Sequence, residues 1–222
     1  RATPAYDTHR SPQLVAQPIS EHWSSLVAQV GDRAFAVLNG QFFGANPLQL
    51  AFPVKVDGEI LSGGYAGRGE YDGEKWMLTI DGNHAAIARF PETGYPDNPL
   101  FSDVPNLIVG LDPCADKGVD EAVGRTFAGV DDRDGDGQAE TVIFALSAAA
   151  TQTEMLQILR QVGVDAVLML DGGGSTQTIV LGEERIRSSD QDKRGQARGI
   201  PHAIGIQAAA SPLAQNADRK TE

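Results

Sequence analysis

Short runs rich in Val, Ile, Leu, Trp and Phe, at 54–56, 76–80, 85–90 and 107–109, are broken by the Asp-Gly pairs 57–58, 72–73 and 81–82. Asp followed by Gly tolerates the positive φ of a tight β-turn, so the runs on either side fold back and pair antiparallel. Helical spacing of apolar residues is confined to 21–30 and 151–162. The second stretch opens with the capping-box spacing of Thr151 and Glu154, continues through Met155, Leu156, Ile158, Leu159 and Val162, and stops at Gly163. The prediction is an α+β fold: a curved, mostly antiparallel sheet with few helices. With 222 residues, 41% of them hydrophobic, the chain has core enough for a single domain. Residues 1–20, with Pro4, Pro12 and Pro18, read as a loose N-terminal arm, 21–207 as the domain and 208–222 as a flexible tail.

The segment Val167-Leu168-Met169-Leu170-Asp171-Gly172-Gly173-Gly174-Ser175-Thr176-Gln177 has the build of a site. Its apolar run predicts a buried strand, and the glycines free the backbone to turn N–H groups toward an anion, with Asp171 at the strand's end. The plainer alternative is a Gly-rich turn whose Asp hydrogen-bonds its own backbone. A strand at 178–181 and a turn at Gly182-Glu183 follow. No Gly-Lys-Ser/Thr follows the glycines and no G-x-G-x-x-G opens a helix, so the loop is neither a P-loop nor a dinucleotide fingerprint. Ser175 is not flanked as in G-x-S-x-G, which excludes a nucleophile elbow.

Two further segments share this character. Ala34 to Leu38 is an apolar strand ending in Asn39-Gly40-Gln41-Phe42-Phe43, and Arg198 to Ile206 sets Arg198 and His202 around a late strand. Asn-Gly-x-Phe-Phe, then Arg125-Thr126, then a helix leading into Leu-Asp-Gly-Gly-Gly-Ser-Thr, then an Arg before a C-terminal strand: this order, over roughly residues 34 to 207, resembles the phosphodiester glycosidase family. Gln41 stands where the family pattern has a second glycine, and Pro201-His202 is a further departure; both bear on which sugar is recognised. The resemblance implies hydrolysis of a sugar joined through its anomeric carbon to a phosphodiester.

Such a reaction needs anion binding, a group to activate water or attack the anomeric carbon, and stabilisation of an oxocarbenium-like transition state. A phosphate diester is already a fair leaving group, so one carboxylate carries more of the burden than in ordinary glycosidases. Asp171 is the candidate. Gly172, Gly173, Gly174, Ser175 and Thr176, with Arg198 or Arg125, are candidates for the phosphate, because a guanidinium fork takes two phosphate oxygens; the alternative for Arg125 is to brace the loop. Asn39 is read as binding sugar hydroxyls, orienting Asp171, or both. His202 is read as an acid or phosphate donor, or else as structural. Glu70 and Tyr71, just after the Gly-rich region 63–69, are candidates to line the cleft, and Arg68 within it is a further phosphate candidate; the alternative is a mobile surface loop.

A separate acidic loop, Asp132-Arg133-Asp134-Gly135-Asp136-Gly137-Gln138-Ala139-Glu140, spaces side-chain oxygens as a calcium loop does, with Asp132, Asp134, Asp136, Gln138 and Glu140 as ligands. It is not an EF-hand: position 12 is Ile143, and 141–146 reads as a strand. A single copy excludes a propeller. The expected cofactor is structural calcium; the alternative is a solvated acidic hairpin.

The net charge of −12 argues against nucleic acid or an anionic membrane as partner. Cys114, the single cysteine, excludes an internal disulfide and reads as a buried thiol. No apolar stretch reaches the length of a membrane span. The chain begins at Arg1 without Met, so a removed leader or tag and a periplasmic or secreted location are expected. Two functional readings stand: an enzyme acting on a sugar-phosphate diester or anionic glycan, or a non-catalytic, calcium-stabilised carbohydrate-binding or exopolysaccharide-assembly protein.

Overall fold

The computed structural model describes residues 13–65, 70–190, 195 and 197–209. Helix α1 (Ile19–Val30) leads into β1 (Ala34–Asn39), followed by the short strands β2 (Phe43–Ala45), β3 (Leu48–Leu50), β4 (Val54–Val56) and β5 (Glu59–Ser62). The hairpin β6 (Lys75–Asp81) and β7 (His84–Arg89), the single turn α2 (Pro99–Ser102) and β8 (Asn106–Leu111) come next. A long hairpin, β9 (Val123–Asp131) and β10 (Thr141–Ala150), precedes α3 (Gln152–Gln161) and β11 (Ala166–Met169). The chain closes with β12 (Thr178–Val180), β13 (Glu183–Ile186) and β14 (Ala203–Gln207).

Every strand pairing among the described residues is antiparallel. The larger sheet runs β10-β9-β11-β8-β4-β5, with β6 also on β8 and β7 on β6; the smaller runs β13-β12-β1-β14. This is the α+β architecture expected from the turn pattern. The Asp-Gly pair at 57–58 makes the β4–β5 turn with positive φ at both residues, as a type I′ turn needs. At the β6–β7 hairpin Asp81 instead pairs with His84, so Gly82-Asn83 forms the turn, with positive φ at Gly82.

Strand alternation divides the core. Met77, Val109, Phe127 and Met169 point to the face that packs under Met155 and Leu159 of α3, while their neighbours Leu78, Ile108, Ala128, Leu168 and Leu170 point to the opposite face. The central strands are therefore buried on both sides, which is why 167–170 is an unbroken apolar run. Helix α3 carries the predicted capping box, with Thr151 and Glu154 exchanging hydrogen bonds. Helix α1 starts earlier than the 21–30 periodicity indicates: Ile19 is buried, and Gln17 exchanges backbone hydrogen bonds with Ile200, so the end of the expected arm is pinned to the domain.

Cys114 is exposed, contrary to the expected buried thiol. The Asp112 carboxylate accepts the Cys114 N–H at 2.8 Å in a turn after β8, which sends the thiol outward and buries Ala115 instead. No helix among the described residues is long and apolar enough to cross a membrane.

Candidate active site

Asp171 lies where the two sheets meet. The β1 end supplies Asn39, whose Nδ2 donates to the Asp171 carbonyl at 2.6 Å, while the Asp171 N–H donates to the Gly40 carbonyl at 3.1 Å. Asn39 Oδ1 accepts the Thr126 hydroxyl from β9 at 2.9 Å and the Gln177 N–H at 3.2 Å. Asn39 is buried and ties three chain segments together. Of the two roles considered for it, this geometry is that of a residue orienting Asp171.

Close packing demands the glycines around this joint. A Cβ on Gly124 would stand 2.3 Å from the Gly173 carbonyl oxygen, and one on Gly172 would stand 2.7 Å from the Gly124 carbonyl oxygen. Three of the loop's amides are spent within it. The Gly172 N–H donates to Asp171 Oδ1 at 3.0 Å, the Ser175 N–H to the Gly172 carbonyl and the Thr176 N–H to the Gly173 carbonyl, both at 3.2 Å. Ser175 and Thr176 are buried, with Thr176 packed behind the loop against Gly124. Ser175 sits by the Asp171 carboxylate.

The Asp171 carboxyl is pushed up to about 6, chiefly because burial strips water from its charged form; the Ser175 hydroxyl, the Gly172 amide and the charges of Arg198 and Lys117 oppose the rise. Its Oδ2 is buried and has no hydrogen-bond partner among the described residues. Leaving a carboxylate oxygen buried and unpaired is unfavourable, and such sites concentrate at places of chemistry.

The candidate cations divide. Arg125 is buried and all five of its N–H donors are engaged: Nε on the Ala150 carbonyl, Nη1 on the Lys117 carbonyl and Gln152 Oε1, Nη2 on the Gly118 and Glu121 carbonyls. Nothing is left for a phosphate, and the structure places Arg125 as a brace of the 117–121 loop. Arg198 does reach the site: its guanidinium lies 5.1 Å over the Phe43 ring, bonds Asp190 Oδ2 at 3.1 Å, and its charge acts on Asp171. Asp190 in turn closes on the glycine loop, where a Cβ on Gly174 would overlap its carboxylate, and Ser188 Oγ donates to the Gly174 carbonyl.

His202 is not placed as an acid. Its Nδ1 accepts the Gln41 N–H at 3.2 Å, so that nitrogen carries no proton, and enclosure by protein drives its pKa down to about 4. The ring packs so tightly on residue 40 that a Cβ there would stand 2.3 Å from Nδ1, which explains the glycine. Gln41 is buried and turns inward, Nε2 donating to the Val109 carbonyl and Oε1 accepting the Phe42 N–H at 2.8 Å. The departure from the family pattern at this position is thus a core contact.

Tyr71, expected from the sequence to line the cleft, is joined near Asp171 by two side chains that sequence reasoning passed over, Lys117 and Tyr65. Lys117 Nζ donates to the Tyr71 hydroxyl at 3.0 Å and lies 5.4 Å over the Phe42 ring and 5.2 Å over that of Tyr71. The Tyr65 hydroxyl is shifted up by burial first, then by repulsion from its acidic neighbours, Glu70 foremost and Asp171 among them. Glu70 is exposed at this rim; Arg68 lies outside the described residues. No spacing rule marks Lys117 or Tyr65, because they sit in irregular loops brought in by long-range contacts.

The acidic hairpin is remote. It caps the Asp131 end of β9, while Gly124 at the other end touches the glycine loop, a separation of roughly 25 Å along a strand of this length. Oxygens of Asp132, Asp134 and Asp136 lie within 4.8 Å of one another. Glu140 is outside this cluster, its Oε1 accepting the Arg133 N–H and the Thr141 hydroxyl, and Gln138 lines an adjoining groove.

The phosphodiester glycosidase family model matches residues 32–207. Among solved structures, the chain is similar to the zebrafish N-acetylglucosamine-1-phosphodiester alpha-N-acetylglucosaminidase catalytic domain auto-inhibited by pro-peptide, with 18% identity and a TM-score of 0.58 over 80% of this chain and 64% of that one. It is also similar to a hypothetical protein from Synechocystis, with 16% identity and a TM-score of 0.52 over 90% of this chain and 56% of that one. The chain thus spans less than two-thirds of the length of either structure. Curated proteins give no match.

Proposed function

This chain belongs to the phosphodiester glycosidase family, and we propose that it hydrolyses a sugar 1-phosphodiester, breaking the bond between the anomeric carbon and the phosphate oxygen. The observation that carries the reading is Asp171: a buried carboxylate with one unpartnered oxygen, poised near 6 and flanked by Arg198 and Lys117. Above that pH it is ionised and fit to activate water or attack the anomeric carbon, and either role supplies the negative charge that an oxocarbenium-like transition state calls for. The phosphate monoester departs with the bonding electron pair. Because it is a weakly basic leaving group, no acid is required on its side, consistent with His202 being neutral and engaged elsewhere. The exposed ring of Tyr65, whose hydroxyl feels the Asp171 charge, suits the apolar face of a pyranose.

The test is release of reducing sugar from methyl diesters of hexose 1-phosphates by the wild-type chain and its loss in Asp171→Asn.

The Asp132, Asp134 and Asp136 cluster fits calcium: hard carboxylate oxygens on a short turn, bent by Gly135 and Gly137 at positive φ. We assign that ion a structural part only, because the hairpin stands at the far end of β9.

A further inference from the structure

We propose that Lys117 is the seat of the substrate's phosphoryl group, its ammonium and the Tyr71 hydroxyl together receiving the diester's non-bridging oxygens. This rests on the reading of the Asp171 cleft as a sugar 1-phosphodiester site. A diester carries one negative charge, and bringing it beside an ionised carboxylate needs a cation that is not already neutralised. Two cations act on Asp171, and they differ in that respect. Arg198 is paired with the Asp190 carboxylate at 3.1 Å. Lys117 has no carboxylate partner among the described residues; its ammonium is held by the neutral Tyr71 hydroxyl and by the faces of Phe42 and Tyr71. Ring faces attract a cation without cancelling its charge, and an ammonium has three donors, of which the phenol takes one. That leaves a positioned, uncompensated cation with donors to spare.

The backbone of Lys117 is fixed for this purpose. Its carbonyl accepts Arg125 Nη1 at 2.9 Å, and its N–H donates to Gln152 Oε1 at 3.2 Å. Arg125, predicted as a phosphate ligand, thereby acts one step back, as a positioning residue for the lysine that binds. Phe42, beneath the ammonium, is two residues from Gly40, whose carbonyl takes the Asp171 N–H. Anion seat and carboxylate are thus built on one turn of chain.

The experiment compares wild type, Lys117→Met and Lys117→Gln in hydrolysis of methyl diesters of hexose 1-phosphates, together with calorimetric binding of methyl phosphate. Methionine keeps the apolar stem, and glutamine also keeps a donor for Tyr71, so an effect shared by both isolates the charge. Removing a charge-assisted hydrogen bond should raise KM at least about tenfold in each variant, with a smaller change in kcat, and should weaken methyl phosphate binding by a similar factor. If wild type releases sugar but KM is unchanged in either folded variant, Lys117 is not the seat, and the proposed reaction stands without it. If wild type releases no sugar, the proposed reaction fails; methyl phosphate binding lost in the variants then still places an anion on Lys117, and binding retained removes it.

Discussion

The side-chain amide of Asn39 donates to the main-chain carbonyl of Asp171 at 2.6 Å, joining the end of β1 in one sheet to the end of β11 in the other. The Asp171 backbone is therefore held by a buried residue that also satisfies Thr126 and Gln177. Asn39→Ala should leave several buried groups unpaired and lower stability by about 2–3 kcal/mol in urea denaturation, with a fall in kcat. Asn39→Asp should not restore activity, because it replaces the donor that faces the Asp171 carbonyl with an acceptor. Full activity in Asn39→Asp would contradict this role.

Asp171 predicts an inverse relation between stability and activity. Its folded pKa of about 6 lies above the ordinary carboxyl value of 3.8, so the folded state holds its proton more tightly than the unfolded chain does. That contribution is fully present below about 4 and is lost as pH rises through 6. Asp171→Asn mimics the protonated form. It should melt at the same temperature as wild type in acid and higher than wild type above pH 6, by an amount on the order of 2–3 kcal/mol at most. Equal melting temperatures across the whole range would remove the claim that burial is what raises this carboxyl.

Arg125 should behave as a structural residue. Arg125→Met strands four main-chain carbonyls and the Gln152 side chain, so a loss of about 3 kcal/mol or more is expected. Thermal melting measures it. A variant with wild-type melting temperature would show that the brace is not needed.

Calcium should stabilise without catalysing. Binding only to the native state adds about 2.7 kcal/mol at a hundredfold excess over Kd. A chelator should lower the melting temperature, Asp134→Ala should abolish that dependence, and kcat at low temperature should be the same with and without chelator. Magnesium should substitute poorly, since its octahedral demand suits a flexible oxygen cage badly. Identical melting in chelator and in calcium would remove the ion from this hairpin.

What local chemistry controls was readable from the chain: the β4–β5 turn at Asp57-Gly58, the cap of α3 by Thr151 and Glu154, the doubly buried run 167–170 and the placing of Asp171 at its end. What depends on partners far along the chain was not. Arg125 reads as a phosphate ligand until its five acceptors, from residues 117 to 152, are in place. His202 reads as an acid until Gln41, 161 residues away, donates to its ring. Lys117 and Tyr71 lie 46 residues apart in loops without periodicity, and only the fold makes them a pair.

The account turns on whether Asp171 cleaves sugar 1-phosphodiesters. Reducing sugar released from methyl diesters of hexose 1-phosphates, followed as a function of pH, tests this directly. The expected kcat/KM rises with pH to a plateau above a limb near 6, the pKa of Asp171, and kcat falls by about 100-fold or more in Asp171→Asn while that variant still binds the diester. Turnover in Asp171→Asn equal to wild type, or no sugar released from any diester by wild type, would contradict it.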